Sequence, residues 1–140
     1  PPRSTLFPYT TLFRSGHNLK EVRNLKKKSK YLKLFNLCSK LMLQIVEGKK
    51  PVIAKVHGAA YAAGCQLAAS CDLAYSTNEA TFATPGVNIG LFCSTPMVAV
   101  SRKVNRKRMM KMLLTGEPIK ANYAKEIGLI NNHLDRKSVV

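Results

Sequence analysis

At 140 residues the chain has room for one domain or part of one, and an apolar content of 46% is enough to build a core. Its 23 Lys and Arg against 7 Asp and Glu give a net charge of +16, which suits phosphate-bearing partners of any kind: nucleic acid, anionic lipid or the phosphates of coenzyme A. No apolar run reaches the length of a membrane span, and the cysteines (Cys38, Cys65, Cys71, Cys93) form no C-x-x-C pair, so neither a transmembrane segment nor a metal site is expected.

Residues 1–15, PPRSTLFPYTTLFRS, have the Arg, Ser and Thr content of an organelle transit peptide and no acid. A different origin fits better. Thr5–Ser15 back-translates codon by codon into a common sequencing adapter. The reverse complement of the same oligonucleotide, read in a shifted frame, encodes Asp-Arg-Lys-Ser-Val-Val and a stop, which matches Asp135–Val140. The expectation is therefore that 1–15 and 135–140 are translated adapter and that 16–134 is the genuine protein segment. Setting both ends aside removes four basic residues (Arg3, Arg14, Arg136, Lys137) and one acid (Asp135), so the basic character stays.

Within that segment, Glu21–Glu47 reads as one helix. Leu34, Phe35, Cys38, Leu41, Met42, Ile45 and Val46 recur at spacings of three and four, and lysines fill the remainder. The lysine face is either a phosphate or membrane-surface patch or the solvated side of an ordinary core helix. Gly48-Lys49-Lys50-Pro51 ends the helix. Pro51–Val56 is rich in β-branched residues and reads as a buried strand. A turn of tiny residues follows, and Gly64–Ala74 has helical spacing. A turn of small side chains at a helix N-terminus lets a ligand approach unpaired main-chain N–H groups, which makes it a natural anion or oxyanion site. Small residues there are equally consistent with close helix packing. Strands are then expected at Leu73–Ser76 and Thr81–Thr84, and turns at Asn78-Glu79 and Pro85-Gly86. Helices are expected over Thr95–Val104, over Asn105–Leu114 and from Lys120-Ala121-Asn122 to Glu126. This alternation indicates an α/β protein.

The stretch His57-Gly58-Ala59-Ala60-Tyr61-Ala62-Ala63-Gly64-Cys65-Gln66-Leu67, with Cys71-Asp72-Leu73 after it, resembles the signature of the crotonase (enoyl-CoA hydratase/isomerase) superfamily, N-G-x-A-x-G-G-G-x-E-L. Gly16-His17-Asn18-Leu19-Lys20 resembles the family's upstream G-x-D-L-K. Further likeness runs through Phe82–Gly90, Leu114–Ile119 and Ala124–Ile130. The resemblance implies a crotonase-like spiral of ββα turns, incomplete at both ends because the family domain is roughly twice this long. It also implies a homotrimer or hexamer for the complete protein and, from the TPGVNIGLFCSTP stretch, a mitochondrial location. A truncated core of this kind is expected to expose apolar faces.

By motif position, the main-chain N–H groups of His17 and Ala63 correspond to the family's oxyanion hole for a thioester carbonyl. The loop Gly16, His17, Asn18, Leu19, Lys20 corresponds to its acyl-CoA-binding segment, with Lys20 the first candidate for a phosphate contact. The two hydratase carboxylates are replaced by Gln66 and Gly86. A neutral amide is no general base near pH 7 and glycine carries no group at all, and each positioned acid or base contributes about 10²–10⁴-fold. Three readings follow. The first is an acyl-CoA-binding crotonase-fold protein of fatty-acid metabolism without conventional hydratase activity, needing no cofactor or metal. The second is an active hydratase, isomerase or thioesterase that uses other groups such as Cys93, Ser94 or Tyr61. The third is a basic nucleic-acid or membrane-surface binder, ranked last because no recognition motif or aromatic interleaving accompanies the lysines. On the first reading, restoring Glu at both 66 and 86 is expected to return measurable hydration.

Overall fold

The computed structural model describes residues 16–135; the adapter reading of 1–15 and 135–140 falls, apart from Asp135, outside the described residues. Six helices and six strands run in the order α1 (Leu19–Asn24), α2 (Lys28–Val46), β1 (Ile53–Val56), β2 (Ala59–Tyr61), α3 (Ala63–Ser70), β3 (Leu73–Thr77), β4 (Thr81–Ala83), a 3-10 turn (Pro85–Ile89), α4 (Ser94–Ser101), α5 (Arg106–Thr115), β5 (Ile119–Lys120), α6 (Ala121–Glu126) and β6 (Asn132–Leu134).

The strands form two three-stranded sheets. One has the order β1-β3-β6, all parallel, with Ala54 opposite Ala74 and Ser76 opposite His133. In the other, order β2-β4-β5, Tyr61 pairs Ala83 in parallel and Phe82 faces Ile119 antiparallel. The chain gives one strand to the first sheet, one to the second, then a helix, and repeats. Such a progression is the ββα spiral that the resemblance implies, and the α/β expectation holds.

The core lies between the sheets and the helices α3, α4, α5 and α6. Phe82, Leu113, Val56 and Val100 are its largest fully buried apolar side chains. Burying each is worth about 1.5–3 kcal/mol. The α5 helix starts as its sequence suggests: the Asn105 side chain accepts the Arg108 N–H at 3.1 Å, and Gly116 closes the helix in the left-handed region.

Several expectations need correction. Glu21–Glu47 is not one helix. It breaks between Asn24 and Lys28, where Lys26 takes φ +54 and Lys27 is extended. Arg23, Lys26, Lys27, Lys28 and Lys30 crowd like charges at one- to four-residue spacing, which a continuous helix would stack on itself. Nor is the apolar stripe of α2 a core face. Only Met42 is buried, while Phe35, Leu41 and Val46 are exposed, because among the described elements only α3 packs on α2 appreciably. Ile53–Val56 is buried on one face only: Ala54 and Val56 are buried and Ile53 and Lys55 exposed, because alternate side chains point to opposite faces and one face of β1 is left uncovered by the described residues. The tiny residues after His57 are not all turn; Ala59–Tyr61 is β2. The central helix stops at Ser70 rather than Ala74. The Ser70 hydroxyl and Cys71 thiol donate back to the carbonyls of Gln66 and Leu67, and the Val52 carbonyl accepts the N–H groups of Asp72 and Leu73, drawing the chain into β3. The turn expected at Pro85-Gly86 runs on as a 3-10 turn over Pro85–Ile89.

Candidate functional site

The site is built where β2 turns into α3. Tyr61 closes β2, and Ala62 takes φ +48, ψ −116, a conformation disfavoured for any residue with a β-carbon. Both its main-chain groups are anchored: its N–H donates to Ala83 O and its carbonyl accepts from Gln66 N, each at 2.9 Å. The strained residue therefore fixes the direction of the next peptide. Ala63 begins α3, and its N–H has no acceptor among the described residues. Helix geometry leaves such a first donor pointing outward at the positive end of the helix.

Gly16 faces this point. A β-carbon on Gly16 would stand 3.1 Å from Ala63 N and 3.3 Å from Ala63 Cβ, and Gly16 has φ +76. Only glycine meets both the close approach and the left-handed backbone. The two segments quoted for the resemblance, separated by 36 residues in the chain, are thus brought together. His17 follows immediately. Its imidazole turns to α2 and packs on Phe35, with ring centroids 5.6 Å apart and tilted by 59°. Asn18 caps α1, accepting the N–H of Lys20 at 3.1 Å and of Glu21 at 3.5 Å, while its own amide donates to Glu21 at 3.1 Å. The amide thus performs the capping that an Asp would. Leu19 and Lys20 are exposed at the start of α1.

Gln66 lies on α3, one turn beyond Ala63. Its Oε1 is buried and unpartnered among the described residues, and so is the Thr84 hydroxyl beside the Pro85-Gly86 turn. Gly86 is more than an absent side chain. A β-carbon there would lie 2.7 Å from Leu91 O and 2.9 Å from Cys93 Sγ. The loop returns through the 3-10 turn, where Leu91 N–H bonds Gly86 O at 2.9 Å, and the Gly86 N–H donates to Cys93 Sγ at 3.3 Å. Replacing Gly86 by Glu in this loop would require the main chain at Leu91 to move.

The acids are otherwise engaged or exposed. Asp72 accepts Val52 N–H at 2.7 Å, as expected of a residue bonding main chain. Glu126 pairs with Arg108 at 3.1 Å. Glu47, Glu79 and Glu117 are exposed. Among the alternative groups, Tyr61 Oη bonds Thr81 Oγ1 at 3.1 Å within the second sheet, and Ser94 is exposed at the start of α4. Cys93 alone stands beside a motif position. The chain's sequence carries no signal for this contact, because it depends on how 86–93 folds back. All the cysteines are free thiols. Burial and then the nearby Cys93 push the Cys65 thiol up to about 12. Burial, then Asp72, push Cys71 up to about 11 against the opposing charge of Lys103. Both therefore stay protonated and unreactive at neutral pH.

Among the described residues no cluster of three His, Cys, Asp or Glu side chains has metal-binding geometry, and no helix is long and apolar enough to cross a membrane.

Comparison with known proteins extends these observations. The enoyl-CoA hydratase/isomerase family model matches residues 6–140. The chain is 52% identical over 120 residues to the mitochondrial enoyl-CoA hydratase domain-containing protein 3 of Danio rerio, covering 86% of this chain and 42% of that protein. It is likewise 52% identical to the human protein of that name, covering 86% of this chain and 40% of the relative. The crystal structure of human enoyl-CoA hydratase domain-containing protein 3 superposes with a TM-score of 0.85 at 49% identity, over 89% of this chain and 49% of that one. An enoyl-CoA hydratase from Mycobacterium smegmatis gives 0.85 at 52% identity, over the same shares. The chain spans about two fifths of the length of these curated relatives. With the motif segments assembled around Ala63 and the spiral in place, the chain belongs to the enoyl-CoA hydratase/isomerase family and has the crotonase fold.

Proposed function

We propose that the protein binds acyl-CoA thioesters through main-chain donors at His17 and Ala63 and does not hydrate enoyl-CoA. One observation carries the reading: the space beside Gly86 is filled by Leu91 O and Cys93 Sγ, while the other acid–base position holds the Gln66 amide. Water addition across a conjugated double bond needs a base for the water and an acid for the α-carbon, and neither position offers one. Binding makes smaller demands. A thioester carbonyl needs N–H donors, and the Ala63 N–H at the start of α3, which has no acceptor among the described residues, supports this. Lys20 is proposed to meet a phosphate of coenzyme A. By analogy with relatives named mitochondrial, we place the protein in mitochondrial fatty-acid metabolism, as a trimer or hexamer of the full-length chain.

The test is hydration of crotonoyl-CoA by the full-length protein beside direct titration with a non-hydrolysable acyl-CoA. Binding without turnover is expected; turnover at an ordinary enzymatic rate of about 1–10³ per second would overturn the reading. A thioesterase reading draws on one observation, the Gly86 N–H donating to Cys93 Sγ, which sets this sulfur beside the motif position. Acyl-CoA hydrolysis that disappears in Cys93→Ser would move that reading ahead.

A further inference from the structure

A second cavity, of about 350 Å³, opens between α5, β5 and α6. None of its lining residues belongs to the Gly16 loop, α3 or the Pro85-Gly86 turn. Its volume is in the range of small-ligand sites. Arg108 and Lys111 stand on one wall, from α5, and Lys120 on the other, from β5; Glu117 is the single acid of the lining. The floor is apolar, with Met112, Ile119 and the half-buried ring of Tyr123.

Three features distinguish it from a merely basic surface. Arg108 is held in place, its two terminal nitrogens donating to the Glu126 carboxylate at 3.1 Å and the Glu126 carbonyl at 3.3 Å. The rim is tied as well: the Thr115 hydroxyl donates to Lys111 O at 2.9 Å and accepts the Glu117 N–H at 3.2 Å. Finally, the cations come from two elements, α5 and β5, rather than from one helix face.

We propose that this cavity is a nucleotide-type site, taking an organic phosphate whose other end is a flat ring. Lys111 and Lys120 take the phosphate charge, which at neutral pH is about −1.5 to −2 for a terminal monoester, while Arg108 stays paired with Glu126 at the rim. Tyr123 and Ile119 take the ring, and Glu117 is an acceptor for sugar hydroxyls. The proposal is independent of the acyl-CoA reading, since it shares no residue with it.

The experiment is calorimetric titration of the full-length protein with ADP, adenosine and inorganic phosphate. ADP is expected to bind at least tenfold more tightly than either part alone. Lys111→Glu and Lys120→Glu, both at exposed positions, are each expected to weaken ADP at least tenfold, while Lys55→Ala, exposed on β1 and outside both sites, changes it less than twofold. Thermal melts matching the parent protein establish that the charge-reversed variants are folded. Binding of ADP that ignores both reversals, binding that is lost in Lys55→Ala, or no binding at about 10 mM ADP overturns the proposal.

Discussion

The thiol of Cys93 lies where a side chain at residue 86 would begin. Its sulfur accepts the Gly86 N–H at 3.3 Å and stands 2.9 Å from the place of a β-carbon on that glycine. The loop is thus closed over the place where a side chain at residue 86 would project. The first prediction follows. Gly86→Glu is expected to destabilise the protein by about 1–3 kcal/mol, the usual cost of overpacking, and Gln66→Glu with Gly86→Glu is expected to leave crotonoyl-CoA hydration at background. Chemical denaturation and a hydration assay on the two variants check this. A stable double variant that hydrates would show that the loop gives way easily.

Ala62 bears a β-carbon at φ +48, ψ −116, in a stretch where the family signature has glycine. Ala62→Gly is expected to raise stability by about 1 kcal/mol, because relief of backbone strain exceeds the added freedom of the unfolded chain. Denaturant midpoints with an unchanged slope measure it. Loss of stability would mean that packing of the Ala62 methyl outweighs the strain.

The buried thiols set a pH dependence. Cys65 and Cys71 are raised from an ordinary 9.0 to about 12 and about 11. Between pH 9 and 11 the unfolded chain releases these protons and the folded chain keeps them. The unfolded state then binds fewer protons, so stability falls as pH rises through that window. Each thiol contributes a slope of up to about 1.4 kcal/mol per pH unit. Melts of the parent and of Cys65→Ala across pH 8–11 should diverge from parallel, the variant declining less steeply. Parallel curves would contradict the buried-thiol account.

Residues 16–134 expressed alone are expected to aggregate or to melt without cooperativity. Leu37 and Leu43 on α2, Leu91 after the 3-10 turn and Leu114 on α5 are all more than half exposed, and apolar patches of this kind seek a covering partner. Analytical ultracentrifugation and a thermal melt test this. A soluble monomer with one sharp transition would contradict it.

Much of the fold was legible because its signals are local. The β-branched run at β1, the helical spacing over α5 and the Pro85-Gly86 turn act through neighbouring residues. Strands β2, β5 and β6 are two or three residues long and exist through pairing with distant partners, so nothing in Ala59–Tyr61 or Ile119–Lys120 marks them. The break at Lys26 was hidden by apolar spacing that continues across it. In the site, the motif residues carried the positions of His17, Ala63, Gln66 and Gly86. The contact of Cys93 with Gly86 was illegible, because it arises from a seven-residue loop folding back on itself.

The most direct test of the central claim is calorimetric titration of the full-length protein with a non-hydrolysable acyl-CoA, comparing parent, Ala63→Val, Gln66→Ala and Lys20→Ala. If main-chain donors at the start of α3 hold the thioester, Ala63→Val, which crowds the Gly16 approach, should weaken binding at least tenfold, and Gln66→Ala should change it far less. Lys20→Ala should weaken it modestly and flatten its salt dependence. No binding by the parent at millimolar ligand, or equal affinity in Ala63→Val and the parent, would contradict the account.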